Sequence, residues 1–203
     1  ITEYEGVLDT LARTLYERGE ISSLFEDLEF GERFIKIVIE TGDVHKQYFD
    51  FSLPFQDVKP DTPFWFGRAV LDAFTCAELI DAVESIIGPE VYSNPVQHVR
   101  IKPPESILPT NQFGEPILGA TQWHQDNGVV LPDADETDML TVWFPLTSAT
   151  CENGCLKIIP RSHLSGLLHH CPGVSGLNVP DTLLDLDSEL VVPMEAGDVL
   201  FLN

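Results

Sequence analysis

Two side chains that can bind a metal ion lie two residues apart in the segment WHQDNG, residues 123–128. Positions two apart on a β-strand point to the same face, so a strand here would bring His124 and Asp126 together while Gln125 points away. Trp123 would give that strand an apolar face, and the Asn-Gly pair that follows favours a turn. The pattern therefore predicts either two ligands of a metal site or a simple polar pair.

The chemistry of these two residue types suits ferrous iron. Two histidines and one carboxylate on a single face of the metal, with the opposite positions open, are the arrangement of ferrous oxygenases. Neutral imidazole is a good ligand, and a carboxylate offsets part of the metal charge. A lone His-x-Asp pattern is common by chance, so the surrounding elements must decide between the two interpretations.

The first part of the chain is predicted to be helical. Apolar spacing indicates a helix over residues 3–18. The segment LDAFTCAELIDAVESIIGPE predicts another helix, with Thr75 as its N-cap and Gly88 and Pro89 as its stop. The segment SLFEDLEFGERFIKIVIETG fits a helix, although RFIKIVIE also alternates like a strand. Three prolines mark residues 50–64 as a connector.

Short strands separated by Pro, Gly, Asn and Asp follow. Strands are predicted in VYSNPVQHVRIKPP, in MLTVWFPL and in GCLKIIPRSH, the last entered through the turn CENG. ELVVPMEAGDVLFLN predicts two strands around the turn EAGD, where Gly197 provides backbone freedom. The order of elements predicts an α+β fold, mainly β, built on a β-sandwich or barrel.

Composition excludes several classes of partner. The formal net charge of −22 argues against nucleic acid, because phosphate binding needs clustered lysine and arginine. No apolar run has the length of a membrane span, and we expect no leader segment and no membrane partner. The 203 residues, 43% of them hydrophobic, suit one globular cytoplasmic domain with a solvated acidic surface. The oligomeric state is not predicted.

The four cysteines are predicted to be free thiols in a reducing compartment. They are Cys76, Cys151, Cys155 and Cys171. A zinc site built from them is the alternative, but their spacing matches no common zinc pattern.

The segments WHQDNG, MLTVWFPL, ENGCLKIIPRSH and VPMEAGDVLFLN resemble, in order and character, those of the phytanoyl-CoA dioxygenase family. AELIDAVESIIGPE and IKPP upstream also fit, so the resemblance runs from about residue 70 to the end. It implies a double-stranded β-helix (a jelly roll) with helices packed outside it. On this basis residues 1–203 form a single oxygenase domain, with an N-terminal helical region and connector over 1–65 and a jelly-roll core over 66–203 whose C-terminal strands lie outside this chain.

The resemblance also implies a mechanism and a set of site residues. It implies iron(II), with 2-oxoglutarate and O2 as co-substrates, and hydroxylation of an unactivated C–H bond. His124 and Asp126 would be the first two iron ligands. Lys102 resembles the lysine that reaches a 2-oxoglutarate carboxylate, and Trp143 resembles the aromatic wall of that pocket. Related halogenases replace the carboxylate ligand with a small residue, so Asp126 favours hydroxylation or another oxidation.

Two further family residues are expected after Asn203. They are the third iron ligand, a histidine just beyond GDVLF, and the arginine that pairs with the distal carboxylate of 2-oxoglutarate. His163 belongs to the IPRSH element, which the family uses structurally. His169 and His170 are adjacent and are weak candidates for the iron.

Several residues are candidates for binding a small-molecule substrate. Gln97 sits where some relatives place a substrate-contacting glutamine, and His98 is its neighbour. Arg161 stands where relatives often have glycine, and it is either a surface arginine or a clamp for a carboxylate, sulfonate or phosphonate. The loop LPDADETDM carries four acidic residues: Asp133, Asp135, Glu136 and Asp138. If this loop borders the pocket, it favours a small amine or zwitterion over a bulky polyanion.

Two other functions remain open. The first is a non-catalytic jelly-roll protein that keeps the family scaffold and binds a ligand, which would be favoured if no histidine follows Asn203. The second is a cupin-like metal hydrolase or isomerase, which would need more histidines near His124 than TQWHQDNG supplies.

Overall fold

The computed structural model describes residues 1–52, 58–94, 97–104, 106, 108, 110, 121–130, 137–173 and 176–203. The chain separates into two compact units, Ile1–Gly119 and Ala120–Asn203. Among the residues just given, the first unit contains four α-helices and the second contains six short strands, which confirms the mixed α+β class. None of these helices has the length and apolar character needed to cross a membrane.

The first two helices form as amphipathic helices. Helix α1 spans Thr2–Glu17, which confirms the helix predicted over residues 3–18. Helix α2 spans Phe30–Thr41, so the ambiguous RFIKIVIE segment is helical. Phe34, Ile37 and Val38 are buried at the i, i+3 and i+4 spacing of a helix, and this apolar face decides between the two predictions.

Phe49 lies at the centre of the core of the first unit. Its side chain is fully buried, and its ring centroid lies 5.6 Å from that of Phe34, 6.0 Å from that of Tyr4 and 6.3 Å from that of Phe30. These are normal distances for tilted and edge-to-face aromatic pairs. Leucines of α1 complete this core, which fixes α1 and α2 against the segment that contains Phe49.

The helix predicted to follow Thr75 is confirmed, and a separate helix precedes that residue. Helix α3 spans Arg68–Phe74 and helix α4 spans Ala77–Ile87. Thr75 is therefore not the N-cap that the sequence predicted. Its backbone N–H and its hydroxyl both donate to the carbonyl oxygen of Leu71, at 3.0 and 2.9 Å, so it ends α3. Cys76, in an extended conformation, is the N-cap of α4, which ends before Gly88 as predicted.

The strand predicted over VYSNPVQHVRIKPP is wrong for the part that the structure describes. Residues 91–94 and 97–104 contain no strand. In this segment, backbone N–H groups donate hydrogen bonds to side chains rather than to a neighbouring strand. The N–H of Gln97 donates to the hydroxyl of Ser52 at 2.9 Å, and the N–H of Val99 donates to the carboxylate of Asp50 at 3.4 Å.

In the part of the second unit that the structure describes, the strands form three antiparallel pairs. The strands are β1 Thr141–Trp143, β2 Leu156–Ile158, β3 Cys171–Gly173, β4 Gly176–Asn178, β5 Leu190–Val192 and β6 Leu200–Leu202. β1 pairs with β6, β2 with β5 and β3 with β4. β5 and β6 flank EAGD as predicted, with Gly197 at φ 104° and the N–H of Asp198 donating to the carbonyl oxygen of Glu195 at 3.0 Å. The closed jelly roll stays a prediction.

Candidate metal centre

His124 and Asp126 meet in the second unit. The Nε2 atom of His124 lies 3.2 Å from Oδ1 of Asp126. Both side chains are partly exposed, at 30% and 41%. The pair is therefore reachable by a small ligand.

A tight turn brings the two side chains together. The predicted strand is wrong here, because Asp126 begins a 3₁₀ turn over Asp126–Val129. Gln125 is extended, and the N–H of Gly128 donates to its carbonyl oxygen at 2.9 Å. An extended residue followed by a turn places both side chains on the same side of the chain, as a strand would have done.

One hydrogen bond of His124 places a proton on its Nδ1 atom. Its Nδ1 lies 2.8 Å from the carbonyl oxygen of Gln122. A carbonyl oxygen only accepts, so Nδ1 carries the proton and donates. In the neutral imidazole, Nε2 then carries a lone pair, and it lies 3.2 Å from Oδ1 of Asp126. Two such acceptor atoms at this distance are stabilised by a proton or a cation between them.

Asp126 is held from its other side by β1. The hydroxyl of Thr141 donates to Oδ2 of Asp126 in a short hydrogen bond. This contact orients the carboxylate and leaves Oδ1 for His124. Hydrogen bonds to the outer atoms of ligand side chains are typical of metal sites, where they fix orientation and tune affinity.

The separation of Nε2 and Oδ1 fits a metal ion. Two ligand atoms at about 2.1 Å from an ion, at right angles around it, lie about 3.0 Å apart. The observed separation is 3.2 Å. Together with the Nδ1-protonated imidazole, this distance makes His124 and Asp126 suitable as adjacent ligands. Within the described ranges, no group of three or more His, Cys, Asp or Glu side chains forms a complete metal site.

A second segment contacts the turn that carries these residues. The backbone N–H of Gln125 donates to Nε2 of His170 at 3.0 Å. The side chain of Gln125 bonds to the same segment, donating to the carbonyl oxygen of Gly166 at 3.0 Å and accepting from the N–H of Leu168 at 2.7 Å. From the sequence, His170 was only a weak candidate for the iron, and Gln125 and Thr141 had no predicted role.

Trp143 lies on β1, the strand whose Thr141 bonds to Asp126. It is two residues after Thr141 on β1, so the two side chains share a face of the strand. Since the hydroxyl of Thr141 points to Asp126, the indole lies on the side of β1 that faces the candidate centre. This is compatible with the role expected for Trp143 as a pocket wall.

Arg161 lies on the surface of the second unit. Its backbone adopts the left-handed conformation, with φ 67° and ψ 10°, just before the 3₁₀ turn Ser162–Ser165. The guanidinium forms no ion pair with any of the residues the structure describes. Of the acidic loop, Asp138 is exposed, and residues 131–136 lie outside the described residues.

His163 and the four cysteines are the other residues that were considered for metal binding. His163 is exposed within the turn Ser162–Ser165. All four cysteines carry free thiols. Burial and the neighbouring Cys151 raise the pKa of the Cys155 thiol.

The other expected site residues lie in the first unit. Lys102 is partly buried there. The side-chain amide of Gln97 donates to the carbonyl oxygen of Asn94 at 2.8 Å, which folds it back on its own segment. Their roles in binding 2-oxoglutarate or substrate stay predictions.

His98 pairs with a buried carboxylate in that unit. Its Nδ1 lies 3.0 Å from Oδ2 of Asp50, whose side chain is 11% exposed. Burial alone would raise the pKa of Asp50, but hydrogen bonds from His98 and from the N–H groups of Ser52 and Val99 outweigh it, and the pKa is lowered. The sequence suggested His98 but not the buried carboxylate that orients its ring.

Comparison with known proteins supports the assignment of the family. The family model described as phytanoyl-CoA dioxygenase (PhyH) matches residues 31–203. No curated protein and no solved structure gives a match.

Proposed function

Because the chain belongs to the phytanoyl-CoA dioxygenase family, we propose that it is an iron(II)- and 2-oxoglutarate-dependent dioxygenase. Its reaction is the hydroxylation of an unactivated C–H bond in a small, polar or zwitterionic molecule. Family membership supports an oxygenase in general. Iron(II), 2-oxoglutarate and the class of substrate are proposals that go beyond family membership.

The geometry of one pair of atoms carries the proposal. Nε2 of His124 and Oδ1 of Asp126 lie 3.2 Å apart, and each is oriented by a hydrogen bond at its far end. The imidazole nitrogen Nε2 and the carboxylate oxygen Oδ1 are close enough to bind the same ion. A divalent ion bound to both would satisfy both atoms at once.

We propose that the third ligand is a histidine that follows Asn203. The register of β1 and β6 supports this position, because Thr141 pairs with Leu202 in an antiparallel ladder. A chain that continues beyond β6 therefore begins beside Thr141, the residue that bonds to Asp126. A ligand at that point would complete a facial set of two histidines and one carboxylate.

The remaining roles follow from residue chemistry. When bound, iron(II) and 2-oxoglutarate would supply the oxidising chemistry that C–H hydroxylation requires. Lys102 would pair with a carboxylate of 2-oxoglutarate, and Trp143 would form an apolar wall that excludes water from the site. Gln97, His98 and Arg161 would bind polar groups of the substrate.

The charge of the chain supports a small substrate that is not a polyanion. The net charge of −22 repels large anions such as acyl-CoA at long range. A single guanidinium at Arg161 can still bind one carboxylate, sulfonate or phosphonate by a bidentate contact. We therefore propose an amine or zwitterion as the substrate class.

Anaerobic titration of the full-length protein with iron(II) and 2-oxoglutarate tests the proposal. We expect a weak visible charge-transfer band that appears only when both are present. His124→Ala and Asp126→Ala should abolish it, whereas His169→Ala, which removes an exposed histidine, should not. Iron binding without any band would contradict the proposal and favour a non-catalytic jelly-roll protein that binds a ligand.

A further inference from the structure

His170 uses both of its ring nitrogens in hydrogen bonds within the second unit. Its Nδ1 lies 2.9 Å from the carbonyl oxygen of Leu168, which can only accept, so Nδ1 carries the proton. Its Nε2 accepts the backbone N–H of Gln125 at 3.0 Å. The imidazole is therefore held as one neutral tautomer.

The residue that donates its N–H to Nε2 of His170 lies between the two candidate metal ligands. Gln125 is the residue between His124 and Asp126, so its peptide N–H lies in the backbone that joins the two candidate ligands. Its side chain also binds the segment that ends at His170, through the carbonyl oxygen of Gly166 and the N–H of Leu168. Backbone and side chain of one residue are thus tied to a segment more than 40 residues away.

The ring of His170 also packs directly against the turn. A Cβ atom added to Gly128 would lie 2.1 Å from Cε1 and 2.4 Å from Nδ1 of that ring. No side chain larger than hydrogen fits there without movement of the ring. The imidazole therefore packs against Gly128, and its Nε2 atom accepts the N–H of Gln125.

The geometry points to His170 as a positioning residue that sets the backbone between the two metal ligands, and not as a ligand itself. This inference rests on the proposed function. A ring whose two nitrogens already bind Leu168 and Gln125 has no lone pair left for a metal. Losing the acceptor at Nε2 would remove the hydrogen bond that holds the backbone N–H of Gln125. The peptide between His124 and Asp126 would then be less fixed before metal binds, although their own bonds to Gln122 and Thr141 remain.

Two variants of His170 separate its two hydrogen bonds. The amide of His170→Asn can replace Nδ1 but does not reach the position of Nε2, so the bond to Gln125 is lost. The longer side chain of His170→Gln places an acceptor near Nε2 and restores that bond. His169→Asn changes the exposed neighbour and is the matched control.

Iron(II) affinity and amide exchange are the readouts. We expect His170→Asn to bind iron(II) about 10–100-fold more weakly than wild type, as is typical when an outer partner of a metal site is removed. In the metal-free protein, the amide proton of Gln125 should exchange faster in this variant. His170→Gln should recover most of the affinity and the slow exchange, and His169→Asn should match wild type. Wild-type iron(II) affinity in a folded His170→Asn would overturn the inference.

A measurement on wild-type protein covers the case in which His170→Asn does not fold. We expect ¹⁵N NMR of the His170 ring to show a protonated Nδ1 and an unprotonated Nε2, unchanged when zinc(II) is added as a diamagnetic probe. A shift that marks Nε2 as bound to zinc(II) would overturn the inference alone. Wild-type protein that binds neither zinc(II) nor iron(II) would overturn the proposed function and the role of His170 together.

Discussion

Thr141 donates its hydroxyl hydrogen to Oδ2 of Asp126, and this contact leaves Oδ1 of the same carboxylate facing His124. A residue of β1 thereby orients a side chain that lies 15 positions earlier in the chain. The two oxygens of Asp126 have different surroundings as a result. One accepts from Thr141, and the other lies 3.2 Å from Nε2 of His124.

Removing the Thr141 hydroxyl should weaken metal binding without unfolding the protein. Thr141→Val keeps the shape of the side chain on β1 but cannot donate to Asp126. We expect iron(II) affinity to fall about 10–100-fold, because outer partners fix the orientation of ligands. Thr141→Ser keeps the hydroxyl and should stay close to wild type in the same anaerobic titration. Equal affinities for the valine and serine variants would contradict the role of Thr141.

Adding a methyl group at Gly128 should destabilise the turn. The new Cβ of Gly128→Ala would lie 2.1 Å from the ring of His170, so the ring or the turn must move. We expect the free energy of unfolding to fall by about 1–3 kcal/mol, as is typical of overpacking. Urea denaturation followed by circular dichroism measures it.

Gly31→Ala is the matched control for that substitution. A Cβ at Gly31, inside α2, meets no atom within 4 Å. Alanine is the better helix former, so this variant should gain up to about 1 kcal/mol. A Gly128→Ala protein as stable as wild type would mean that the ring of His170 moves freely.

Local patterns predicted the parts of the fold that depend on neighbouring residues. The apolar spacing of α1 and the EAGD turn between β5 and β6 are both confirmed. In each case the deciding contacts join residues a few positions apart. The cap at Thr75 was wrong, because the same hydroxyl that can begin a helix instead bonds back to Leu71 and ends one.

Only part of the candidate site could be predicted, because several of its contacts join residues that are far apart in the chain. The sequence showed His124 and Asp126 because they are two residues apart. It suggested His170 only as a weak iron ligand and did not show its contact with Gln125, since that bond spans 45 positions and depends on the path of the chain between them. The pair of Asp50 with His98 spans 48 positions and was missed in the same way. Partners chosen by tertiary packing leave no periodic signal.

The buried pair in the first unit should make stability depend on acid pH. The pKa of Asp50 in the folded protein lies below its ordinary value of 3.8. The charged carboxylate therefore stabilises the fold above that value, and the contribution is lost as the pH falls through the lower folded pKa. We expect Asp50→Asn to lose about 1.5–3 kcal/mol at pH 7, the range for hydrogen bonds to a charged group.

The difference between wild type and Asp50→Asn should shrink as the pH is lowered below 3.8. Urea denaturation of both proteins across the acid range measures this convergence. Many other carboxylates titrate in the same range, but they are common to both proteins and cancel in the difference. A gap that stays constant to the lowest pH would contradict the assignment of the acid dependence to Asp50.

Substitutions of Arg161, whose backbone is left-handed, should affect protein stability and substrate binding in different ways. A non-glycine residue at φ 67° costs about 1–2 kcal/mol, whereas glycine adopts this conformation freely but loses more chain entropy on folding. Arg161→Gly should therefore unfold at the same urea concentration as wild type or a higher one. Arg161→Val, which is β-branched and poorly suited to positive φ, should be less stable than both. If the guanidinium binds an anionic group of the substrate, Arg161→Gly should raise KM with little change in kcat. An unchanged KM in the glycine variant would show that Arg161 does not bind the substrate.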